Sequence, residues 1–334
     1  MYRTLQTVAL VGLWATNTLA QQEEIECTEG LHMIIARGTT EAQGPGDLGR
    51  IAGRIAGRIE GSAIQPVVYP ATYLDPYHVD SIKNGSNAAR KAITEYAEKC
   101  PDGKIALLGY SQGAQVIGNS ICGDTGGWLN GTALDDNPYI QLLFGEQDGH
   151  LKFEDGPGVD KDLILDNLVS VLLFGDPTYS SEPEFAEGTA EGEGLWPRDW
   201  SECSDYSSVT RSYCDTGDII CDTSDEYVDG VHTDYTRRYG VDAVEFAIEM
   251  WNEATGADVE VEGGDRFPGL DEISPPGGNS STPTPTMTKP TSTPSPTDTE
   301  EEETAPTAAA AGLHVAGSLF VGVPLMLFGV WALI

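Results

Sequence analysis

Basic residues are scarce in this chain. Its 334 residues carry 18 Lys and Arg against 53 Asp and Glu, a formal net charge of −35. A surface of that sign repels phosphate backbones and argues against a nucleic-acid partner. CxxC spacing is missing as well: none of the six cysteines, Cys27, Cys100, Cys122, Cys203, Cys214 and Cys221, forms such a pair, so a thiolate metal site has no basis here. No Lys or Arg follows the apolar run from Ala308 to Ile334. A retained membrane span leaves basic residues on the cytoplasmic side, so this tail behind a polar spacer reads as a GPI-attachment signal rather than a retained anchor.

What is present divides the chain. Residues 1–20 join Arg3 to the apolar "VALVGLWA" and the small-residue "TLA", the pattern of a secretory signal peptide. Residues 257–307 hold "SSTPTPTMTKPTSTPSPT" and the acidic "DTEEEET", an extended stalk that cannot pack a core. Residues 308–334 are the tail. In between, 21–256 is long enough for one good-sized domain, and a chain with 40% hydrophobic residues can fill it. Sequons at Asn84, Asn130 and Asn279 fit an extracellular glycoprotein. Six cysteines in a secreted chain suggest three disulfides, in a pairing that the sequence alone leaves open.

Within the domain, "LHMIIA" (31–36), "QPVVYP" (65–70), "KIALLGY" (104–110) and "LVSVLLFG" (168–175) read as buried parallel strands. Helical patterns alternate with them at 80–99, 112–122 and 241–251. That order predicts a three-layer α/β/α sandwich around a central parallel sheet. The repeat "GRIAGRIAGRIEG" (49–61) sets three arginines at a four-residue period. Its simpler account is a helix that packs Ile51, Ile55 and Ile59 inward.

One motif carries chemistry. Gly109-Tyr110-Ser111-Gln112-Gly113 follows an apolar strand and opens a helix, the setting of a strained elbow that lifts a serine oxygen above the sheet. Such a serine needs a base, and in this architecture the chain order is Ser, acid, His. Of five histidines, His32 and His78 precede Ser111, His32 in a strand and His78 in an early loop, and His314 belongs to the tail. His150 falls in a long acidic insertion, 124–168. His232 stands just before the last helix and is the favoured base. Asp176, Asp215, Asp218, Asp222, Asp225 and Asp229 all satisfy the order rule for the acid. Asp218 stands out because Cys214 and Cys221 bracket it, and a bond between them would stiffen its position.

Four separated motifs, "ARGTTE" (36–41), "GYSQGA" (109–114), "SYCDTGDIIC" (212–221) and "VHTDYTRRYG" (231–240), resemble those of the cutinases and acetylxylan esterases, from about Cys27 to Trp251. The resemblance implies a cutinase-like α/β-hydrolase with Ser111 as nucleophile, Asp218 as triad acid and His232 as general base. It makes Thr39 one side of an oxyanion hole, with the backbone amide of Gln112 as its partner. It also implies disulfides Cys27–Cys100 and Cys214–Cys221, which leaves Cys122 with Cys203. No metal or organic cofactor is called for, and a monomer is expected, tethered to the membrane by its C-terminal lipid. Features of both branches are present. "LLFGDPTY", the cysteine in "SICG" and the loop "FAEGTAEGEGLWPRDWSEC" resemble acetylxylan esterases, whereas "YPATYLDPYHVD" lacks the further cysteines those enzymes carry after the second strand. Acetylxylan and cutin therefore both stand as substrates for a secreted serine esterase. A non-catalytic surface protein on the same fold is the alternative, and a lipase-like or peptidase activity is a third reading, less favoured because no long hydrophobic lid is visible.

Overall fold

The structure is a computed structural model that describes residues 25–123, 156–223 and 227–261. In chain order its elements are β1 (Leu31–Ala36), α1 (Gly49–Arg58), β2 (Ala63–Pro66), α2 (His78–Lys99), β3 (Lys104–Tyr110), α3 (Gln112–Cys122), the single turn α4 (Lys161–Ile164), β4 (Leu168–Phe174), β5 (Ala186–Gly188), β6 (Thr210–Cys214) and α5 (Tyr235–Thr255). The strands form one all-parallel sheet in the order β2-β1-β3-β4-β6-β5.

The unbroken apolar runs of β1, β3 and β4 make sense once both faces are covered. Successive side chains of a strand point to opposite faces, and here they feed two cores. Ile34, Leu107, Val171 and Leu173 pack with Ile82, Ile93, Val116 and Ile117 of α2 and α3. Met33, Ile35, Leu108 and Leu172 pack with Ile51, Ile55, Phe246 and Ile248 of α1 and α5. The isoleucines of the 49–61 repeat are thus buried, and Arg50 is exposed on the outer side.

Strand order reverses between β1 and β3, because the chain goes outward to β2 and then returns past β1. In open α/β sheets, ligands sit at such a switch point, beyond the carboxyl ends of the strands. Ser111, directly after β3, lies there.

Three expectations change in detail. The second strand is Ala63–Pro66 rather than 65–70. It is an edge strand with one neighbour, and after Val67 donates to Ile35 O at 2.8 Å the chain bends toward Arg37, which binds the carbonyls of Tyr69 and Pro70. The stretch 178–208, which contains the expected loop "FAEGTAEGEGLWPRDWSEC", is not simply a loop. It holds β5 and the start of a 3-10 segment, Trp200–Val209, and it sends Phe185, Leu195, Trp196, Trp200 and Tyr206 into the core beside α2 and α3. The last helix starts earlier and ends later than 241–251. Past it, Asn252 bonds Val259 through both N–H and C=O, so packed chain continues beyond 256.

The disulfides are Cys27–Cys100, Cys122–Cys203 and Cys214–Cys221, the expected set. Among the described residues no helix is long and apolar enough to cross a membrane. The expected signal peptide, tail and nearly all of the expected stalk, with most of the 124–168 insertion, His150, His314, Asp225, Asn130 and Asn279, lie outside the described residues.

Candidate active site

Ser111 has φ +53° and ψ −123°, a conformation that costs a non-glycine residue about 1–3 kcal/mol. Its neighbours hold it there. Its N–H donates to Phe174 O at 2.8 Å, tying the elbow to the end of β4, and its carbonyl accepts from Ala114 N at 2.9 Å as α3 begins. Glycine at 113 is obligatory: a Cβ would lie 2.0 Å from the carbonyl oxygen of Ala36, so the helix start and the end of β1 could not meet.

The five predicted residues converge. Ser111 Oγ is 2.9 Å from His232 Nε2, and His232 Nδ1 is 2.7 Å from Asp218 Oδ2. A carboxylate only accepts, so Nδ1 carries the hydrogen and Nε2 is left to accept from the serine hydroxyl. That is the tautomer a general base needs. All three side chains are buried. Asp218 sits in a tight turn closed by the Cys214–Cys221 bond, where its other oxygen accepts from Ile220 N at 3.1 Å. Tyr110 OH donates to the carbonyl of His232 at 3.0 Å and fixes that loop from beneath. Gly175 backs the imidazole closely.

Thr39 reaches the site through the loop after β1, and the "ARGTTE" motif braces it. The buried Arg37 donates to Glu41 O, Gln43 Oε1, Tyr69 O and Pro70 O. Glu41 accepts from Gly38 N at 2.6 Å and Asp47 N at 2.8 Å. Gln112, expected to offer only its backbone amide, also contributes a fully buried side chain. Its Nε2 shares two hydrogens among three acceptors, Thr39 Oγ1 (3.1 Å), Thr72 O (3.1 Å) and His78 Nδ1 (2.8 Å), while its Oε1 accepts from Ser81 Oγ at 2.8 Å. With Thr39 Oγ1 accepting, its hydroxyl hydrogen is left available for another acceptor. The backbone N–H of Gln112 is among the first of α3, which lack intrahelical acceptors and favour negative charge.

His78 belongs to the first turn of α2, not to a loop, and it is buried against Trp196, ring centroids 5.9 Å apart. Burial lowers its pKa to about 4. It is therefore neutral and able to accept from Gln112. His32 lies at the amino end of β1, far along the strand from Ser111, bonded to Gln65 at 2.7 Å.

The other candidate aspartates among the described residues are engaged elsewhere. Asp215 is ion-paired with Arg238 and accepts from Thr189 and Tyr239. Asp176 accepts from the N–H and hydroxyl of Thr178, and burial raises its pKa. Asp222 is buried behind the Asp218 turn, its N–H donating to Asp218 O at 2.8 Å. Asp229 accepts from Tyr227 OH at 3.0 Å. Asn84 is exposed on α2, whereas Ser86 of the same sequon is buried.

A parallel sheet covered by helices on both faces is the fold of the cutinase-like α/β-hydrolases. The catalytic core domain of acetyl xylan esterase from Trichoderma reesei superposes with a TM-score of 0.55 at 26% identity, covering 67% of this chain and 100% of that one. Residues 27–251 match the Cutinase family, and the chain belongs to it. An acetylxylan esterase of Hypocrea jecorina is 29% identical over 171 residues, 51% of this chain and 48% of the relative. Cutinase 11 of Verticillium dahliae is 27% identical over 175 residues, 52% and 50%. The chain thus spans about half the length of these two curated relatives.

Proposed function

We propose that this protein is a secreted serine carboxylic-ester hydrolase that works through an acyl-enzyme on plant cell-wall esters of the acetylxylan or cutin type. The observation that carries the reading is the hydrogen-bonded line Ser111–His232–Asp218, at 2.9 and 2.7 Å, beside Thr39 and the start of α3. His232 takes the Ser111 proton as Oγ attacks the ester carbonyl, and the resulting oxyanion accepts from the Thr39 hydroxyl and the Gln112 backbone N–H. His232 then protonates the departing alcohol. Water, deprotonated by the same imidazole, releases the acid and restores Ser111. The sequence uses no metal and no cofactor.

The substrate class rests on relatives named for both acetylxylan and cutin. Three disulfides favour an oxidising compartment, in keeping with the signal-like amino terminus. A stalk ending in a lipid-attachment signal would hold a monomeric enzyme at the cell surface, with Asn84 exposed for glycan.

The test is hydrolysis of p-nitrophenyl acetate, butyrate and longer esters, then of acetylated xylan and cutin, by wild type and Ser111→Ala. Loss of all turnover in a folded variant is the expected result; substantial residual activity removes Ser111 from the mechanism. Steep preference for acetate with release from xylan assigns the first substrate, and butyrate with cutin the second.

A further inference from the structure

The hydroxyl of Tyr235 has no part in the reaction just described, yet it touches the triad acid. It lies 2.7 Å from Asp218 Oδ2, the oxygen that also receives His232 Nδ1. Its direction is fixed from the other side, because the backbone N–H of Asp215 donates to the phenol oxygen at 3.1 Å. With that lone pair engaged, the single phenol hydrogen lies on Asp218. Burial, and then the Asp218 charge, raise the Tyr235 pKa well above the ordinary phenol range, so the group stays a donor. The Cys221 sulfur, 3.2 Å from the same oxygen, is disulfide-bonded and has no hydrogen to give.

The ring cannot drift. Tyr235 is buried as the first residue of α5, edge-on to His232 at 89° and 6.3 Å, and stacked on Tyr239 at 6.2 Å. Filling space alone would need a phenylalanine.

We infer that Tyr235 is a positioning residue for the triad: as a second donor to Asp218 Oδ2, it holds the carboxylate against the imidazole and draws off part of its negative charge. This rests on the Ser111–His232–Asp218 mechanism and deepens it. A carboxylate oxygen shared by two donors stabilises an imidazolium less than one bonded by histidine alone. His232 can then return its proton readily to the leaving alcohol. Other titratable groups face the pair from each side: Tyr110 from β3, with Glu41 and Asp47 beyond it, and Asp215 with its partner Arg238 and Tyr239 behind Tyr235. None of these other groups is bonded to Asp218 Oδ2.

The experiment compares full-length wild type with Tyr235→Phe, and with 3-fluorotyrosine placed at 235, which keeps the hydroxyl and strengthens it as a donor. Two readouts are followed: the pH dependence of kcat/KM on p-nitrophenyl acetate, and the downfield proton resonance of His232 Nδ1–H. In Tyr235→Phe the acid limb is expected to move up by about half to one pH unit and kcat to fall about tenfold with KM little changed, about 1.4 kcal/mol. The Nδ1 proton is expected to move further downfield. Fluorotyrosine should shift both the limb and the resonance the opposite way. Profiles and resonances that superimpose in folded variants overturn the inference and leave Tyr235 a core residue. An inactive wild type would instead remove the esterase reading, and the resonance would still decide whether Tyr235 tunes the Asp218–His232 bond.

Discussion

Gly175 offers a sharp test of how the imidazole is held. It follows β4 with φ +56°, and a Cβ there would lie 3.0 Å from both His232 Nδ1 and Cε1 and 2.9 Å from Tyr235 Cε2. Ordinary contact needs about 3.5–4.0 Å, so Gly175→Ala must push the ring back by about half an ångström. The ring cannot yield freely, since Nδ1 is tied to Asp218 at 2.7 Å and Tyr110 holds the backbone carbonyl of His232. Two costs then separate. The positive φ costs alanine about 1–2 kcal/mol of stability, and the displaced ring weakens the line to Ser111 Oγ. As an ångström of misplacement costs on the order of a hundredfold in rate, half of that predicts a kcat lower by about tenfold with KM little changed. Gly256→Ala is the control. That glycine has φ +71° and nothing within 4 Å of a built Cβ, so it carries the backbone cost without the contact. Steady-state hydrolysis of p-nitrophenyl acetate, titration of active sites with a serine-reactive phosphonate and thermal unfolding would be measured on both. Similar stability losses with kcat reduced only in Gly175→Ala are expected. A Gly175→Ala enzyme within twofold of wild type would refute the claim that this glycine backs the base.

Further expectations follow from the buried network around Gln112. Thr39→Val should lower kcat about a hundredfold by removing an oxyanion donor, and Gln112→Leu less, since its backbone N–H remains. Because the Gln112 side chain acts through the Thr39 hydroxyl, the double variant should be no slower than Thr39→Val alone, and additive losses would show the two to be independent. His78, with its pKa lowered from 6.5 to about 4 by burial, stays unprotonated in the folded protein where the unfolded chain takes up a proton. Its contribution to stability is thus complete above pH 6.5 and is lost as pH falls toward 4, up to about 3 kcal/mol. Urea unfolding across that interval should be less steeply pH-dependent in His78→Gln, and parallel curves would show that His78 is not buried in neutral form. Replacing Cys27 and Cys100 by serine opens a 73-residue loop and should cost about 4 kcal/mol of stability with modest effect on kcat. Opening Cys214–Cys221, only seven residues apart, should do the reverse: a smaller stability loss, and a clear fall in kcat as the Asp218 turn loosens.

Local rules account for what could be read in advance. An apolar run meeting Gly-Tyr-Ser-Gln-Gly specifies a strand, an elbow and a helix within a short window, and the structure has β3, Ser111 and α3 there. Buried strands need helices on both faces, so three long apolar runs with helical patterns between them already imply the layers. β5 was invisible because Ala186–Gly188 is three residues long, partly exposed, and a strand only by virtue of its pairing with β6. The edge at β2 was misplaced for the related reason that "QPVVYP" carries strand propensity, whereas the pull of Arg37 on Tyr69 and Pro70 comes from a residue some thirty positions away.

The same distinction divides the site. Ser111, Asp218 and His232 could be singled out as candidates because each sits in its own signature and chain order relates them. His78 had no such signature, and precedence over Ser111 correctly removed it as a base while hiding its use as an acceptor for Gln112. Tyr235 stands inside "VHTDYTRRYG", but nothing in that string says that its hydroxyl turns back to Asp218 rather than out to solvent. That direction depends on the donor from Asp215 N, on the stack with Tyr239 and on the closeness of Gly175, contributed by β4, the segment after β6 and α5. The candidate catalytic groups are thus written locally, and their supports are written in the packing. It follows that substitutions at the supports should change rate and pH dependence while leaving each motif intact, which is why Gly175, Gln112 and Tyr235 test this site more searchingly than the triad itself.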